Sequence, residues 1–292
     1  MDGKFVPWEE ASVHALSHTL HYGGGAFEGI RVYETEKGPA VFRLDEHIKR
    51  LFYSAGALKM KIPYSEEEIK KVILETVSEN KLSSCYIRPL VIYGYGELGL
   101  KPKNVPINVI VAAWSWGAYL GDKETVSIKT SSMLKTDPRS TDLKAKICGN
   151  YVNSILASFE ISDTDYDEVL FLDFEGNVAE GAGENIFIVK DNVLYTPEVG
   201  SILPGITRDS VLEIARDLNI KTEEKKLALD DVKTADEAFF TGTAVEITAI
   251  GKIDEIVINQ NEVGEVTKKV KAKFFEAVKG QNEKYKDWLT IV

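Results

Sequence analysis

The order of strand-like and helix-like segments constrains the fold of this chain more than any other feature. Runs rich in β-branched and aromatic residues predict strands, and they lie at 40–44, 85–93, 108–114, 125–131, 168–174 and 185–190. Apolar residues at helical spacing predict helices between them, in stripes that begin at Leu44, Ile69, Val211 and Val266. Ser65 and Glu68 form a capping-box pattern at the start of the second stripe. Because strands and helices do not alternate regularly, we predict an α+β protein with largely antiparallel sheets.

The length and composition indicate two globular domains. The chain has 292 residues, of which 44% are hydrophobic and 28% are charged, and this composition supports a large core. The segment GAYLGDKE (117–124) places two glycines and a charge cluster after a predicted core strand, which is typical of a boundary. We therefore predict domains over 1–117 and 125–292, joined by a connector over 118–124.

Charge and cysteine content exclude several classes of function. The formal net charge of −11 argues against general binding to nucleic acid or to anionic membranes. The two cysteines, Cys85 and Cys148, are far apart and form no disulfide or zinc spacing, which favours a reducing cytoplasm. The first residues lack the pattern of a signal peptide, and no apolar run approaches the roughly 18 residues of a membrane helix.

The segment LKAKICGNYVNS (143–154) contains two lysines that are candidates for chemistry. If the segment is a strand, Lys144 and Lys146 point to the same face, and both are then ordinary surface charges. Alternatively, Lys146 precedes Ile147 and Cys148, among which an amine can lose its water. Desolvation lowers a lysine pKa and leaves the amine ready to attack a carbonyl carbon.

The segment NVAEGAGENIF (177–187) offers two carboxylates. Glu180 and Glu184 flank a Gly-Ala-Gly sequence, and glycines permit close backbone approach. The segment is either a hairpin loop with two solvated acids or a site that places a carboxylate beside a protonated ring nitrogen.

Two further segments are candidate anion sites. In LPGITRD (203–209), Pro204 and Gly205 stop one segment and a helix begins after them, which provides a seat for phosphate. The alternative is a helix capped by Thr207. In TGTAVEIT (241–248), small residues either expose backbone N–H groups to an anion or form a turn between a strand and a helix.

Two arginines and the histidines complete the set of candidates. In CYIRPL (85–90), Tyr86 and Arg88 share one strand face, and an arginine there is costly unless it is paired or lies at a wet cavity. Arg50 lies off the apolar stripe of its helix, so a solvated position is expected. The four histidines form no metal-ligand pattern, and we assign no metal.

These segments together resemble the branched-chain-amino-acid aminotransferases, which are class IV, fold type IV, pyridoxal-phosphate enzymes. The blocks LHYGGGAFEGIR, CYIRPL, KICGNYVNS, EGAGENIF, LPGITRD and TGTAVEIT occur in the order of that family. The resemblance covers nearly the whole chain. It implies a two-domain fold like that of D-amino-acid aminotransferase, with a small N-terminal α/β domain and a larger C-terminal domain that binds the cofactor.

The resemblance also assigns roles to individual residues. Lys146 matches the catalytic lysine that binds pyridoxal 5'-phosphate (PLP), while Lys144 does not. Tyr151 matches the partner of the ring hydroxyl, Glu180 the partner of the ring nitrogen, and Leu203 the residue under the ring. The positions that match the phosphate site are Arg50, Gly205, Ile206, Thr207 and Thr243.

The implied reaction is amino transfer between leucine, isoleucine or valine and 2-oxoglutarate, in biosynthesis or degradation of these amino acids. The residues that match substrate-binding positions are Tyr22, Phe27, Tyr86, Arg88, Leu100, Trp116, Tyr119, Thr243 and Ala244. Tyr22 and Leu100 match positions that reach a partner subunit, so the resemblance implies a homodimer or a larger homo-oligomer. Four other functions stay open: a D-amino-acid aminotransferase or an aminodeoxychorismate lyase of the same fold, an aldolase with a catalytic lysine, and a carrier without activity.

Overall fold

The computed structural model describes residues 1–117, 120–121 and 123–292, and the chain forms two compact units. The first unit consists of residues 1–116, 145–150 and 278–292, and the second of residues 117–144 and 151–277. Among the described residues, none of the helices has both the length and the apolar character that a membrane crossing requires.

The secondary structure of the described residues is numbered along the chain. The strands are β1 (Gly25–Phe27), β2 (Ile30–Thr35), β3 (Gly38–Phe42), β4 (Cys85–Tyr93), β5 (Ile107–Trp114), β6 (Thr125–Leu134), β7 (Glu168–Leu172), β8 (Val178–Gly181), β9 (Asn185–Lys190), β10 (Val193–Thr196), β11 (Lys221–Glu224), β12 (Glu237–Gly242), β13 (Glu246–Ile253), β14 (Ile256–Val257) and β15 (Leu289–Ile291). The α-helices are α1 (His18–Tyr22), α2 (Leu44–Ala57), α3 (Glu66–Glu79), α4 (Tyr151–Phe159), α5 (Ile206–Asp217), α6 (Leu229–Lys233) and α7 (Glu265–Val278). Short 3₁₀ helices lie at Trp8–Glu10, Cys148–Asn150, Asn259–Asn261 and Glu283–Trp288.

The first unit is built on an antiparallel sheet with the order β1-β4-β2-β3-β15, in which β5 also pairs with β4. Strand β4 lies at its centre and pairs with β1, β2 and β5. The helices α2 and α3 pack on the sheet through their apolar stripes, which include the buried residues Ile48, Leu51, Ile69 and Ile73. The predicted capping box is confirmed, because the Ser65 side chain and the Glu68 side chain each bond the other residue's backbone N–H.

The second unit has a mixed sheet with the order β11-β10-β9-β12-β13-β6-β7-β8, and β14 pairs with β13. Three of its strand pairs, β10–β11, β13–β6 and β6–β7, are parallel. Buried side chains such as Ile186, Ile188 and Phe240 form its core. The buried Glu237 accepts hydrogen bonds from the backbone N–H groups of Val266 and Thr267, at 2.9 and 2.8 Å, and so caps α7.

The predicted division into two contiguous domains is wrong in two places. The first segment of the first unit ends at Trp116, but residues 145–150 and 278–292 also belong to that unit. The reason is pairing over long sequence separation: Ile147 forms a β-bridge with Ala26, and β15 pairs with β3. Sequence composition carries no sign of such returns of the chain.

Candidate active site

Lys146 and Lys144 lie in different environments, and the segment that carries them is not a strand. The backbone N–H of Lys146 donates to Ser54 Oγ at 2.8 Å, and its carbonyl accepts from the Phe27 N–H at 3.1 Å. These bonds fix Lys146 beside β1 in the first unit. Lys144 is exposed and its N–H donates to Asp142 in a local turn. The alternative in which both lysines share one face of a strand is therefore wrong.

The Lys146 amine has an environment that suits a nucleophile or a base. Burial lowers its pKa, the positive charge of Arg50 lowers it further, and the negative charge of Glu28 partly opposes this change. Its Nζ lies 5.2 Å from the centre of the Phe27 ring. A lysine with a lowered pKa carries more neutral amine near pH 7, and the neutral amine is the reactive form.

Arg50 is held by a buried carboxylate rather than by solvent. Its Nε and Nη2 donate to the two oxygens of Glu28 at 2.6 and 2.9 Å, and its side chain is only 12% exposed. His47 Nδ1 lies 2.7 Å from Glu28 Oε2. The solvated position expected for Arg50 is therefore wrong, because an acid 22 residues earlier in the chain folds against it.

The residues of β4 form an aromatic and cationic cluster. Arg88 Nη2 donates to the Tyr86 hydroxyl at 3.0 Å, and the guanidinium lies 4.8 Å from the centre of the Phe27 ring. Trp116 packs edge-on against Tyr86 with ring centres 4.3 Å apart. A Cβ at Gly29 would lie 1.9 Å from the Tyr86 hydroxyl, so only glycine leaves room for this tyrosine. The prediction that Tyr86 and Arg88 share a face is confirmed.

Two other predicted substrate residues are not part of this cluster. Tyr22 ends α1 and is 48% exposed, and Leu100 lies in the loop before β5 and is 83% exposed. Tyr119 lies outside the described residues.

In the second unit, Glu180 is a buried carboxylate with three donors around it. Lys135 Nζ lies 2.7 Å from its Oε1, with both side chains mostly buried. Its other oxygen accepts from Asn185 Nδ2 at 3.0 Å and from the Leu203 N–H at 3.2 Å. Because a carboxylate offers about four acceptor positions, these three donors leave capacity for one more. The alternative of a solvated acid is wrong for Glu180.

Glu184 lies in the same segment but has a different environment. Burial raises its pKa well above the usual carboxyl value, and the nearby Glu168 raises it further. Burial also raises the pKa of Glu168. Two buried carboxyls in contact share a proton, so Glu184 is a poor partner for a cation. Solvation is excluded for Glu184 too, since the residue is 5% exposed.

The start of α5 has the geometry of an anion seat. The helix begins at Ile206, and Gly205 is its N-cap, so no N-cap side chain accepts a hydrogen bond from the first N–H groups of the helix. Thr207 is buried inside the first turn, so the alternative in which it caps the helix is wrong. A Cβ at Gly205 would lie 2.0 Å from Asn185 Oδ1. The first N–H groups of a helix have no partner within it and attract anions.

The remaining predicted residues of the second unit lie at turns and helix ends. Thr243 and Ala244 are partly buried in the turn between β12 and β13, which is a strand–strand turn. Tyr151 is the first residue of α4 and is partly buried. Among the described residues, no group of three or more His, Cys, Asp or Glu side chains could hold a metal ion.

Similarity to known proteins identifies the family. The pattern of the "Amino-transferase class IV" family matches residues 25–253. A branched-chain-amino-acid aminotransferase of Pseudomonas aeruginosa is 47% identical over 294 residues, which cover 100% of this chain and 96% of that protein. The chain belongs to the branched-chain-amino-acid aminotransferases of class IV.

Solved structures support the same family. The structure of a branched-chain amino acid aminotransferase from T.th., complexed with N-(5'-phosphopyridoxyl)-L-glutamate, has a TM-score of 0.96 and 46% identity, and covers 100% of this chain and 97% of its own. The structure of that enzyme with pyridoxamine 5'-phosphate has the same TM-score and coverage and 48% identity. These similarities confirm the α+β, fold type IV architecture that was expected for this aminotransferase.

Sequence reasoning missed four residues that contact the candidate site residues Arg50 and Glu180. Glu28 and His47 surround Arg50, while Lys135 and Asn185 surround Glu180. Glu28 and Asn185 lie inside the blocks LHYGGGAFEGIR and EGAGENIF. These blocks do not indicate which residues the two side chains contact. Lys135 had no signal, because one lysine after a strand is indistinguishable from a surface charge.

Proposed function

We propose that the protein uses PLP to transfer the amino group of leucine, isoleucine or valine to 2-oxoglutarate. One observation carries the proposal: the Lys146 amine, whose pKa is lowered by burial and by Arg50, in a segment fixed by backbone bonds to Ser54 and Phe27. The family of the chain supports it.

The described residues fit the cofactor group by group. We assign the phosphate to Arg50, to the N–H groups of Ile206 and Thr207 after Gly205, and to Thr243, because a phosphate dianion needs several charged or N–H donors. Glu180 suits the protonated ring nitrogen, since its three donors leave an acceptor position. Tyr151 and Leu203 are assigned to the ring hydroxyl and the ring face. When bound, PLP supplies an aldehyde carbon and a protonated ring that accepts electrons from the substrate α-carbon.

The side chains then have separate tasks. The neutral Lys146 Nζ takes the proton from the substrate α-carbon and delivers it to the neighbouring reaction centre, as general base and then acid. Glu180 keeps the proton on the ring nitrogen through its negative charge. Arg50 aligns the phosphate, and this fixes the reacting atoms relative to Lys146.

For substrate binding, we assign the aliphatic side chain to Phe27, Tyr86, Trp116 and Tyr119. The α-carboxylate is assigned to the N–H groups of Thr243 and Ala244. The second carboxylate of glutamate is assigned to Arg88, helped by Tyr22. One observation supports the role of Arg88: its Nε is buried and has no hydrogen-bond partner among the described residues.

An activity panel with a trapping experiment tests the proposal. We expect transfer from L-leucine to 2-oxoglutarate, and no transfer from D-alanine. Activity with D-alanine alone would identify a D-amino-acid aminotransferase, and a colourless active protein would identify an aldolase.

Borohydride reduction followed by mass spectrometry should place a pyridoxyl group on Lys146. Lys144 is the matched control, because it lies two residues away but is exposed. A pyridoxyl group on Lys144 would contradict the assignment, and a modified Lys146 without any turnover would favour a carrier. A homo-oligomer completed by the partner's copies of Tyr22 and Leu100, and a cytoplasmic location, stay predictions.

A further inference from the structure

Arg50 is gripped at both edges of its guanidinium by one carboxylate. The Nε and Nη2 donors bond separate oxygens of Glu28, at 2.6 and 2.9 Å, which is the two-pronged geometry that only arginine can make. The Glu28 side chain is fully buried. Water therefore cannot replace Glu28 as the partner of Arg50 without a local rearrangement of the first unit.

Glu28 is itself anchored by its backbone. It follows β1, and its N–H donates to the carbonyl of Pro89 in β4 at 2.9 Å. Arg50 is anchored from the other end, because α2 packs on the same sheet through Ile48 and Leu51. The ion pair thus joins two rigid elements, and the direction of the guanidinium is set by the fold.

His47 strengthens this grip from one turn earlier on α2. Its Nδ1 lies 2.7 Å from Glu28 Oε2, and a carboxylate can only accept, so Nδ1 carries the hydrogen. Burial lowers the pKa of His47, and the Glu28 charge only partly opposes this. His47 therefore stays neutral near pH 7 and adds a hydrogen bond without adding charge.

The partners of Glu28 explain why it stays ionised although it is buried. Burial alone would raise the pKa of Glu28, but the positive charge of Arg50 and the hydrogen bonds from Arg50 and His47 outweigh burial and hold the pKa well below its usual range. A buried ion pair is a weak source of stability compared with apolar packing. The arrangement is better explained by the orientation it gives to Arg50.

We propose that Glu28 and His47 are positioning residues that hold the Arg50 guanidinium in the orientation that binds a phosphate monoester. This inference rests on the proposed function, in which Arg50 binds the phosphate of PLP. An arginine that is already oriented loses less rotamer freedom when it binds. Neither Glu28 nor His47 touches the phosphate in this proposal.

The test separates phosphate recognition from general stability. For each variant, the dissociation constants of PLP and of pyridoxal, which lacks the phosphate, are measured on the full chain after the cofactor has been removed. The ratio of the pyridoxal constant to the PLP constant reports the phosphate site alone. Glu28→Gln should reduce this ratio by about tenfold, which is the scale of one charge-assisted interaction, while pyridoxal binds within about twofold of the wild-type value.

The matched control is Glu237→Gln, which neutralises another buried carboxylate with three hydrogen bonds in the second unit. It should lower the melting temperature but leave the ratio unchanged. His47→Leu removes one hydrogen bond to Glu28 and keeps both charges, so it should reduce the ratio by about threefold. If Glu28→Gln does not fold, the His47→Leu variant tests the positioning role by itself.

Arg50→Gln distinguishes the two levels of the argument. If it reduces the ratio while the Glu28 and His47 variants keep the wild-type ratio, the positioning role is wrong and the proposed function stands. If Arg50→Gln also keeps the wild-type ratio, Arg50 does not bind the phosphate, and the assignment of the phosphate site fails together with this inference.

Discussion

Each unit of the molecule contains a buried carboxylate paired with a cation, and the two pairs differ in what they leave accessible. Glu28 is completely enclosed and bonds both edges of Arg50. The Glu180 side chain keeps 7% of its surface and faces Lys135, a single point charge on a flexible chain. If the Arg50 guanidinium turned away from Glu28, it would lose two hydrogen bonds at once. The Lys135 amine makes a single contact with Glu180 and can shift its position. In the roles proposed above, the buried Glu28 orients Arg50 in the first unit, and the buried Glu180 remains available to a ligand in the second.

A second contrast lies within the EGAGEN segment itself. Glu180 faces Lys135, while Glu184 faces Glu168, and burial together with Glu168 raises the pKa of Glu184 well above normal. Two acids four residues apart thus have different partners, since a lysine lies opposite Glu180 and a second acid lies opposite Glu184. The proposed ligand role of Glu180 depends on what lies opposite each acid, and the following substitutions test this dependence.

The largest effect is expected for Lys146→Ala. This change removes the proposed general base, a group that contributes about 10²- to 10⁴-fold in enzymes, and it also removes the proposed covalent anchor of PLP. We expect the transfer from L-leucine to 2-oxoglutarate to fall at least about a thousandfold. Lys144→Ala should keep the wild-type rate, and substantial turnover by Lys146→Ala would move the base to another residue.

A smaller loss is expected for Glu180→Gln. The amide keeps the shape but not the negative charge, so the proton leaves the ring nitrogen more easily and the rate should fall about a hundredfold. The visible spectrum should still show bound cofactor. Glu184→Gln is the paired control and should change the rate by less than about threefold. Equal losses in both variants would remove the distinction between the two acids.

Lys135→Met tests the partner of Glu180. It leaves a buried carboxylate without its cation, which costs about 3–5 kcal/mol where no substitute exists. A bound ring nitrogen supplies a substitute positive charge. We therefore expect PLP to raise the melting temperature more in Lys135→Met than in the wild type, as measured by thermal unfolding with and without cofactor. An equal rise would show that the ring nitrogen does not face Glu180.

The smallest effect concerns the pH dependence of Glu184. Its pKa in the folded protein is raised above the unfolded value, so the folded state binds the proton more tightly. This stabilisation is complete below the ordinary carboxyl pKa of 4.5 and is lost as the pH rises through the raised value. The stability of Glu184→Gln relative to the wild type should therefore increase as the pH rises from 5 to 8. Denaturant unfolding of both proteins at pH 5 and pH 8 checks this prediction. It would be contradicted if the free energy of unfolding changed with pH in the same way in both.

Local patterns predicted much of the fold. Strands β4 and β9 have the bounds that their β-branched residues indicated, and the capping box at Ser65 starts α3 as expected. The predicted strand over 40–44 lies two residues earlier, at Gly38–Phe42, because the chain turns at Arg43, where φ is 51°, and α2 begins at Leu44. These features depend on neighbours within a few residues, which the sequence displays directly.

The errors about Arg50, Glu180 and Glu184 involve partners that are distant along the chain. Arg50 was expected in solvent because it lies off the apolar stripe of its helix, yet Glu28, 22 residues earlier, bonds it. Glu180 and Glu184 are equivalent by pattern, and only Lys135 and Glu168 separate them. The residue roles implied by the family resemblance do not depend on knowing these contacts. For the same reason, the resemblance does not say which neighbours orient each side chain.

The pairing of β15 with β3 has a consequence for synthesis on the ribosome. The first sheet takes its edge strand from Leu289–Ile291, so its first five strands emerge long before the sixth. Domains usually fold as they emerge, beginning at the N-terminus. In this protein, the β3 edge of the N-terminal sheet stays unpaired until the residues around 290 have left the exit tunnel. A nascent chain halted earlier should expose that edge to chaperones, and removal of residues 289–292 should impair the part of the protein that is made first.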